Sequence, residues 1–136
     1  MRLFDTTFLI DLVDGDEGAA RLAKRVDQEG SYRAISAVTV QEYLRGIYYL
    51  FGEDHELLQR KLASAESELR RFEIIPYSYE IAKVGANIEA ELAKMGRIMG
   101  FADTIIAATA RHLGLKLVTR DIQHFQRILH LRLENY

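Results

Sequence analysis

Short apolar runs alternate along this chain with longer stretches whose apolar residues recur at helical spacing, a rhythm that few architectures accommodate. Leu3-Phe4 is the first run, and Thr6 then begins a helical turn through Phe8-Leu9-Ile10 that ends near Asp14-Gly15. Glu17 to Glu29 reads as a helix with Ala20, Leu22, Ala23 and Val26 inward, closed by Gly30 where helices favour a left-handed residue. Tyr32 to Ile35 is a second strand. Ser36 to Thr39 start the next helix, which carries Val40, Tyr43, Leu44, Ile47 and Leu50 at helical spacing. Asp54 to Arg71 is amphipathic, and Phe72 to Ile75, stopped by Pro76, is a third strand.

Ser78 to Lys94 marks another helix, followed by the loop Met95 to Gly100. Phe101 to Leu113 is a helix almost without polar residues, ended by Gly114, and such a helix is buried on most sides. Lys116 to Thr119 is a fourth strand, Arg120-Asp121 turns the chain, Ile122 to Leu129 makes a short helix, and Leu131 to Leu133 adds a fifth strand. Strands separated by helices require right-handed parallel crossovers, so the expected class is α/β with a parallel sheet covered on both faces. With 136 residues and no repeat, linker or low-complexity tract, residues 1–136 are expected to form a single domain.

Composition narrows the function by exclusion. The chain has no cysteine, which removes disulfide frameworks, thiolate zinc sites and thiol nucleophiles. A net charge of -2 argues against gripping nucleic acid by bulk electrostatics, so a phosphate-bearing substrate would need cations as intermediaries. Met1 to Asp5 meets a carboxylate too soon for the apolar core of a secretion signal, and no apolar run spans a bilayer. The expected location is cytoplasmic, with no membrane partner. The Gly96 to Gly100 loop lacks the patterns that cradle nucleotides, and no Ser/His/Asp arrangement suggests acyl chemistry.

Four acids stand where backbone geometry can aim them at one pocket. Asp5 and Asp121 end strands, and Glu42 and Asp103 ride helices. Singly, each has an ordinary explanation: Asp5 and Asp121 as helix N-caps, Glu42 as a solvated side chain, Asp103 as a complement to a helix dipole. Asp103 strains that explanation most, because it is the only acid in a stretch whose small and branched residues demand close packing. Gathered together, the acids need a cation, since two unit charges about 4 Å apart repel by roughly 4 kcal/mol at an effective dielectric near 20. Oxygen ligands without His or Cys companions select Mg²⁺ or Mn²⁺, and acidic clusters of this kind suit phosphodiester hydrolysis.

The ordered set Leu3-Phe4-Asp5-Thr6-Thr7-Phe8-Leu9-Ile10, Val38-Thr39-Val40-Gln41-Glu42-Tyr43 with Gly46, Asp103 to Ala110, and Leu117-Val118-Thr119-Arg120-Asp121 with His124-Phe125 resembles the PIN-domain ribonucleases. Within them it is similar to the VapC-type toxins of prokaryotic toxin–antitoxin pairs. The resemblance covers nearly the whole chain and implies a three-layer α/β/α fold with strand order 3-2-1-4-5. It implies a metal and catalytic set of Asp5, Glu42, Asp103 and Asp121, with Thr119 orienting the pocket by hydrogen bonding. Thr7 departs from the Asn or Ser usual at its position. The implied activity is Mg²⁺-dependent endonucleolytic cleavage of single-stranded RNA, with Mn²⁺ able to substitute. The implied partners are the RNA, a second copy in a homodimer, and a small antitoxin protein.

The aromatic tail Tyr43, Ile47, Tyr48, Tyr49, Leu50 and Phe51 suits either a partner or the core of the monomer. Arg45, Arg97, Arg111, Arg120 and Arg127 are candidate cationic guides, whereas His55, His112 and His130 share no ligand spacing. His124 suits packing or capping better than substrate contact. Rival readings are a general RNA-processing PIN nuclease, a vestigial binding module, an aspartyl-phosphate phosphatase and a receiver domain. A phosphatase would want an acid where Thr7 stands, and a receiver would want a Lys after the last strand, whereas Lys116 opens its strand.

Overall fold

A computed structural model describes residues 1–136. Five strands, β1 (Arg2–Phe4), β2 (Arg33–Ser36), β3 (Glu73–Ile75), β4 (Lys116–Val118) and β5 (Leu133–Glu134), form one sheet in the order β3-β2-β1-β4-β5. Every neighbouring pair is parallel. The connections are helical: α1 (Thr6–Val13) and α2 (Glu17–Glu29) after β1, α3 (Ala37–Phe51) and α4 (His55–Leu69) after β2, α5 (Tyr79–Lys94) and α6 (Phe101–Leu113) after β3, and α7 (Ile122–Phe125) after β4.

Strand alternation distributes the apolar side chains between two cores. Leu3, Ala34 and Leu117 lie beside one another in register and face a core completed by α5 and α6, including Ile88, Ile106 and Ala107. Their successors Phe4, Ile35 and Val118 face the other core, with Phe8, Leu22, Ile47 and Leu69 from α1 to α4. Both sheet faces are therefore covered, as parallel sheets require, and the three layers are α/β/α.

α6 enters its layer as a buried rod. Every residue from Thr104 to Ala110 is buried, and its small side chains let α5 approach closely at Gly85. The two threonines return their hydroxyls to the backbone four residues earlier, Thr104 to Gly100 O at 3.1 Å and Thr109 to Ile105 O at 2.7 Å. No buried side-chain polar atom lacks a partner.

Several local expectations shift. Ala19 replaces Ala20 on the buried face of α2, with Ala20 exposed. The helix expected over Ile122 to Leu129 ends at Phe125, and β5 falls at Leu133–Glu134 rather than Leu131 to Leu133. Parallel pairing accounts for both, because the chain must turn within a few residues to lay β5 beside β4. His130 takes a positive φ of 61° in that turn, and Leu117 N–H then reaches Arg132 O at 2.8 Å. The aromatic tail of α3 divides: Tyr43 and Ile47 are core, whereas Tyr48, Tyr49 and Leu50 are exposed, Tyr49 by 88%. No helix is long and apolar enough to cross a membrane.

Candidate active site

The chain leaves β1 toward one edge of the sheet and crosses to the other edge before β4, so β1 and β4 flank a topological switch point. Crevices beyond the carboxyl ends of strands at such a point are the usual ligand sites of open parallel sheets. A cleft of about 330 Å³ opens at the carboxyl end of β1, between α1, α3 and the start of α6, bordered by Asp5, Thr6, Glu42, Arg45, Gly46 and Asp103 among others.

Asp5 follows β1 directly, its N–H bonded to Val118 O at 3.1 Å, and it serves as N-cap of α1 by accepting from Phe8 N–H at 2.9 Å. Capping and a place in the cleft are thus compatible in one carboxylate. Only 6% of the residue is exposed, and burial pushes its pKa up to about 6. Hydrogen bonds from Thr119 and Phe8 oppose the rise, and the negative charges of Asp103 and Asp11 add to it. Burial is the largest cause, so the charged form of Asp5 is disfavoured chiefly by its removal from water.

Glu42 lies in the second turn of α3, half-buried. The Thr6 hydroxyl stands 2.6 Å from Glu42 Oε1 and 3.2 Å from the fully buried Thr39 hydroxyl. A carboxylate only accepts, so Thr6 donates to Glu42 and Thr39 to Thr6. This relay fastens α3 to α1 across the cleft. Neither threonine carries a role in the sequence reading, although Thr39 precedes Glu42 by three residues and shares its helix face.

Asp103 is in the first turn of α6, where the helix dipole favours an anion. Its side chain is 42% exposed, so the burial expected for it falls on Asp5 instead: α6 becomes enclosed only from Thr104 onward. His124 Nε2 stands 3.1 Å from Asp103 Oδ2, and its ring packs against Phe125. The sequence assigns His124 to packing or capping, and the ring contact with Phe125 agrees with packing. The contact with an acid of the cleft is additional.

Asp121 is exposed and does not border the cleft. It caps α7 through His124 N–H at 3.3 Å, and its own N–H donates to Thr119 Oγ1 at 3.1 Å. Thr119, fully buried, thereby joins the Asp121 turn to Asp5. Of the five residues named from sequence, three acids border one cleft, whereas Thr119 and Asp121 lie outside its lining, Thr119 reaching Asp5 by a hydrogen bond and Asp121 bonded to Thr119.

No three Asp, Glu or His side chains gather tightly enough to cage an ion as they stand. Mg²⁺ does not require such a cage, since it retains several waters and binds through one or two carboxylates together with substrate phosphates. The donors are hard oxygens throughout, and Asp5 is both buried and crowded by like charge, so the residues fit a divalent cation of the Mg²⁺ or Mn²⁺ kind.

Two of the candidate arginines are committed elsewhere. Arg120 pairs with Asp16 at 2.7 Å and lies over the Tyr136 ring, and Arg111 bonds Asn87 at 2.6 Å. Arg45 alone among the five borders the acidic cleft, and it has no ion pair or side-chain hydrogen bond.

Residues 2–130 match the PIN domain family. The chain is 33% identical over 134 residues to Ribonuclease VapC2 of Haemophilus influenzae, covering 98% of this chain and 96% of that one. It is 31% identical over 134 residues to the tRNA(fMet)-specific endonuclease VapC of Shigella flexneri, with the same coverage. Its fold superposes on a chain of the VapBC2 complex of Rickettsia felis bound to promoter DNA, with a TM-score of 0.85, 26% identity, and 99% and 98% of the two chains covered. From β1 through the turn after α7, this chain belongs to the PIN-domain family, in its VapC branch.

Proposed function

We propose that this protein is a divalent-cation-dependent endoribonuclease that cleaves single-stranded RNA and serves as the toxin of a toxin–antitoxin pair. The observation that carries the reading is the convergence of Asp5, Glu42 and Asp103 on one cleft at the carboxyl end of β1, in a chain whose relatives are named ribonucleases and endonucleases. A bound Mg²⁺ or Mn²⁺ supplies neutralisation of the scissile phosphate and activation of water.

The chain's own residues do the positioning. Asp5 and Asp103 would hold the cation, with Glu42 beside them. Phe8 N–H and Thr119 set the direction of Asp5, Thr6 and Thr39 fix Glu42, and His124 restrains Asp103. Asp121 acts through Thr119 and His124, holding the turn between β4 and α7. Purified protein should cut single-stranded RNA internally in Mg²⁺ or Mn²⁺ and leave it intact after chelation with EDTA. Intact RNA under both conditions would remove the proposal.

The partners follow from the same reading. The fold is also similar to a toxin–antitoxin complex from Klebsiella pneumoniae and to VapBC-5 of Mycobacterium tuberculosis, a member of the VapBC family of toxin–antitoxin systems. The exposed Tyr48-Tyr49-Leu50 tail of α3 offers an apolar surface of the kind interfaces favour. Light scattering should give twice the chain mass. Co-expression with the product of a neighbouring short reading frame should give a complex that Leu50→Asp weakens. A monomer that forms no such complex would leave the nuclease without the toxin assignment.

A further inference from the structure

Beside the acidic cleft lies a second hollow of about 460 Å³ that shares two of its residues, Glu42 and Arg45. Its opposite wall is aromatic. Phe101, 65% exposed, and Tyr77, 51% exposed, meet edge to face with ring centroids 6.3 Å apart. An edge-to-face pair leaves a ring face open to a further flat group. Phe101 also stands two residues before Asp103 on α6, so one ring of the aromatic wall and one acid of the cleft belong to the same helix.

We propose that this hollow is a nucleotide subsite for the RNA strand: Arg45 receives a backbone phosphate next to the cleft, and the adjoining base stacks on the Phe101–Tyr77 pair. The inference rests on the nuclease reading and deepens it. Three observations select this occupant. Arg45 is a cation without an ion partner at the boundary between the two hollows, where a strand leaving the acids needs its charge balanced. With a net charge of -2, the protein cannot supply that balance by its overall field. Aromatic faces next to a cationic track are how single strands are held without pairing, since every base has a face to stack.

The probe is a short single-stranded RNA carrying 2-aminopurine at successive positions, whose emission is quenched when it stacks. It is titrated in Mg²⁺ into the full-length chain bearing Asp103→Asn. Quenching should be confined to one or two adjacent positions. Phe101→Ala should remove most of it and weaken binding about tenfold, whereas Phe101→Trp should retain it. Arg45→Gln should weaken binding and reduce the salt slope by about one unit, with partial rescue by Arg45→Lys.

Quenching unchanged in both Phe101→Ala and Tyr77→Ala would overturn the subsite. So would variants that turn a dimer into monomers while RNA affinity stays constant, because a second copy would then be the occupant. Quenching that depends on Phe101, in a protein whose unmodified form leaves RNA uncut, would keep the subsite and remove the nuclease. Cutting by an unmodified protein whose quenching ignores Phe101 would do the reverse.

Discussion

Asp103→Asn should reduce cation-dependent cleavage of single-stranded RNA by about three orders of magnitude, the scale of losing a principal electrostatic element, and change folding stability by less than about 1 kcal/mol. The two effects separate because of where Asp103 sits. It lies in the first turn of α6, partly open to solvent, ahead of the segment that packs the core. Asn keeps its volume and can still meet His124, so the fold loses only a favourable interaction with the helix dipole. The cleft loses one of three anions. Cleavage of a labelled oligonucleotide and a thermal melt of the same preparation measure both quantities. Asp121→Asn provides the contrast: since that residue lies outside the lining of the cleft and retains its cap as Asn, it should lower the rate far less. Asp103→Asn cutting RNA at the unmodified rate would mean that the reaction occurs elsewhere.

The places where sequence reading succeeded share a local cause. β1 followed by α1 is written in adjacent residues: an apolar pair, a capping acid, then a helical face, so Asp5 is placed by its neighbours alone. Gly30 and Gly114 end their helices in the left-handed conformation at the expected positions. Features that escaped depend on contacts distant in sequence. The bond from Thr6 to Glu42 spans 36 positions, and that between His124 and Asp103 spans 21, so no local pattern marks either. The shortened α7 is the same lesson in the backbone. Ile122, Phe125 and Ile128 have helical spacing, but pairing of β5 with β4 turns the chain before the pattern is complete.

The burial expected for Asp103 fails for a related reason. The apolar company of Asp103 suggests enclosure, whereas Asp5, between an apolar pair and two threonines, reads as a helix N-cap with no depth assigned to it. In three dimensions Asp5 is held at the sheet's central strand, behind helices on both faces, and Asp103 remains at a helix entrance. Depth in a parallel sheet follows strand order, and strand order is a non-local property.

That depth predicts a stability effect opposite to the usual consequence of altering a buried polar residue. In cation-free buffer Asp5→Asn should raise stability at pH 7.5 by up to about 3 kcal/mol, or about 10 °C in melting temperature, and leave it unchanged near pH 4. The folded protein holds the Asp5 proton up to about pH 6, against an ordinary value of 3.8. Below about pH 4 both folded and unfolded chains carry that proton, and the site contributes no pH dependence. Between the two values the folded state binds more protons than the unfolded one, so stability falls as pH rises and levels off above pH 6. Asn does not titrate, and it preserves the cap to Phe8 N–H. Mn²⁺ should reverse the order: at a hundredfold excess over its dissociation constant a cation adds about 2.7 kcal/mol to the unmodified protein, and far less to the variant that lost a principal anion. Melts at pH 4 and 7.5, with EDTA and with Mn²⁺, test all of these together. If Asp5→Asn were the less stable protein at pH 7.5 in EDTA, the hydrogen bonds from Thr119 and Phe8 would already satisfy the ionised carboxylate, and the cleft would have no electrostatic need of a cation.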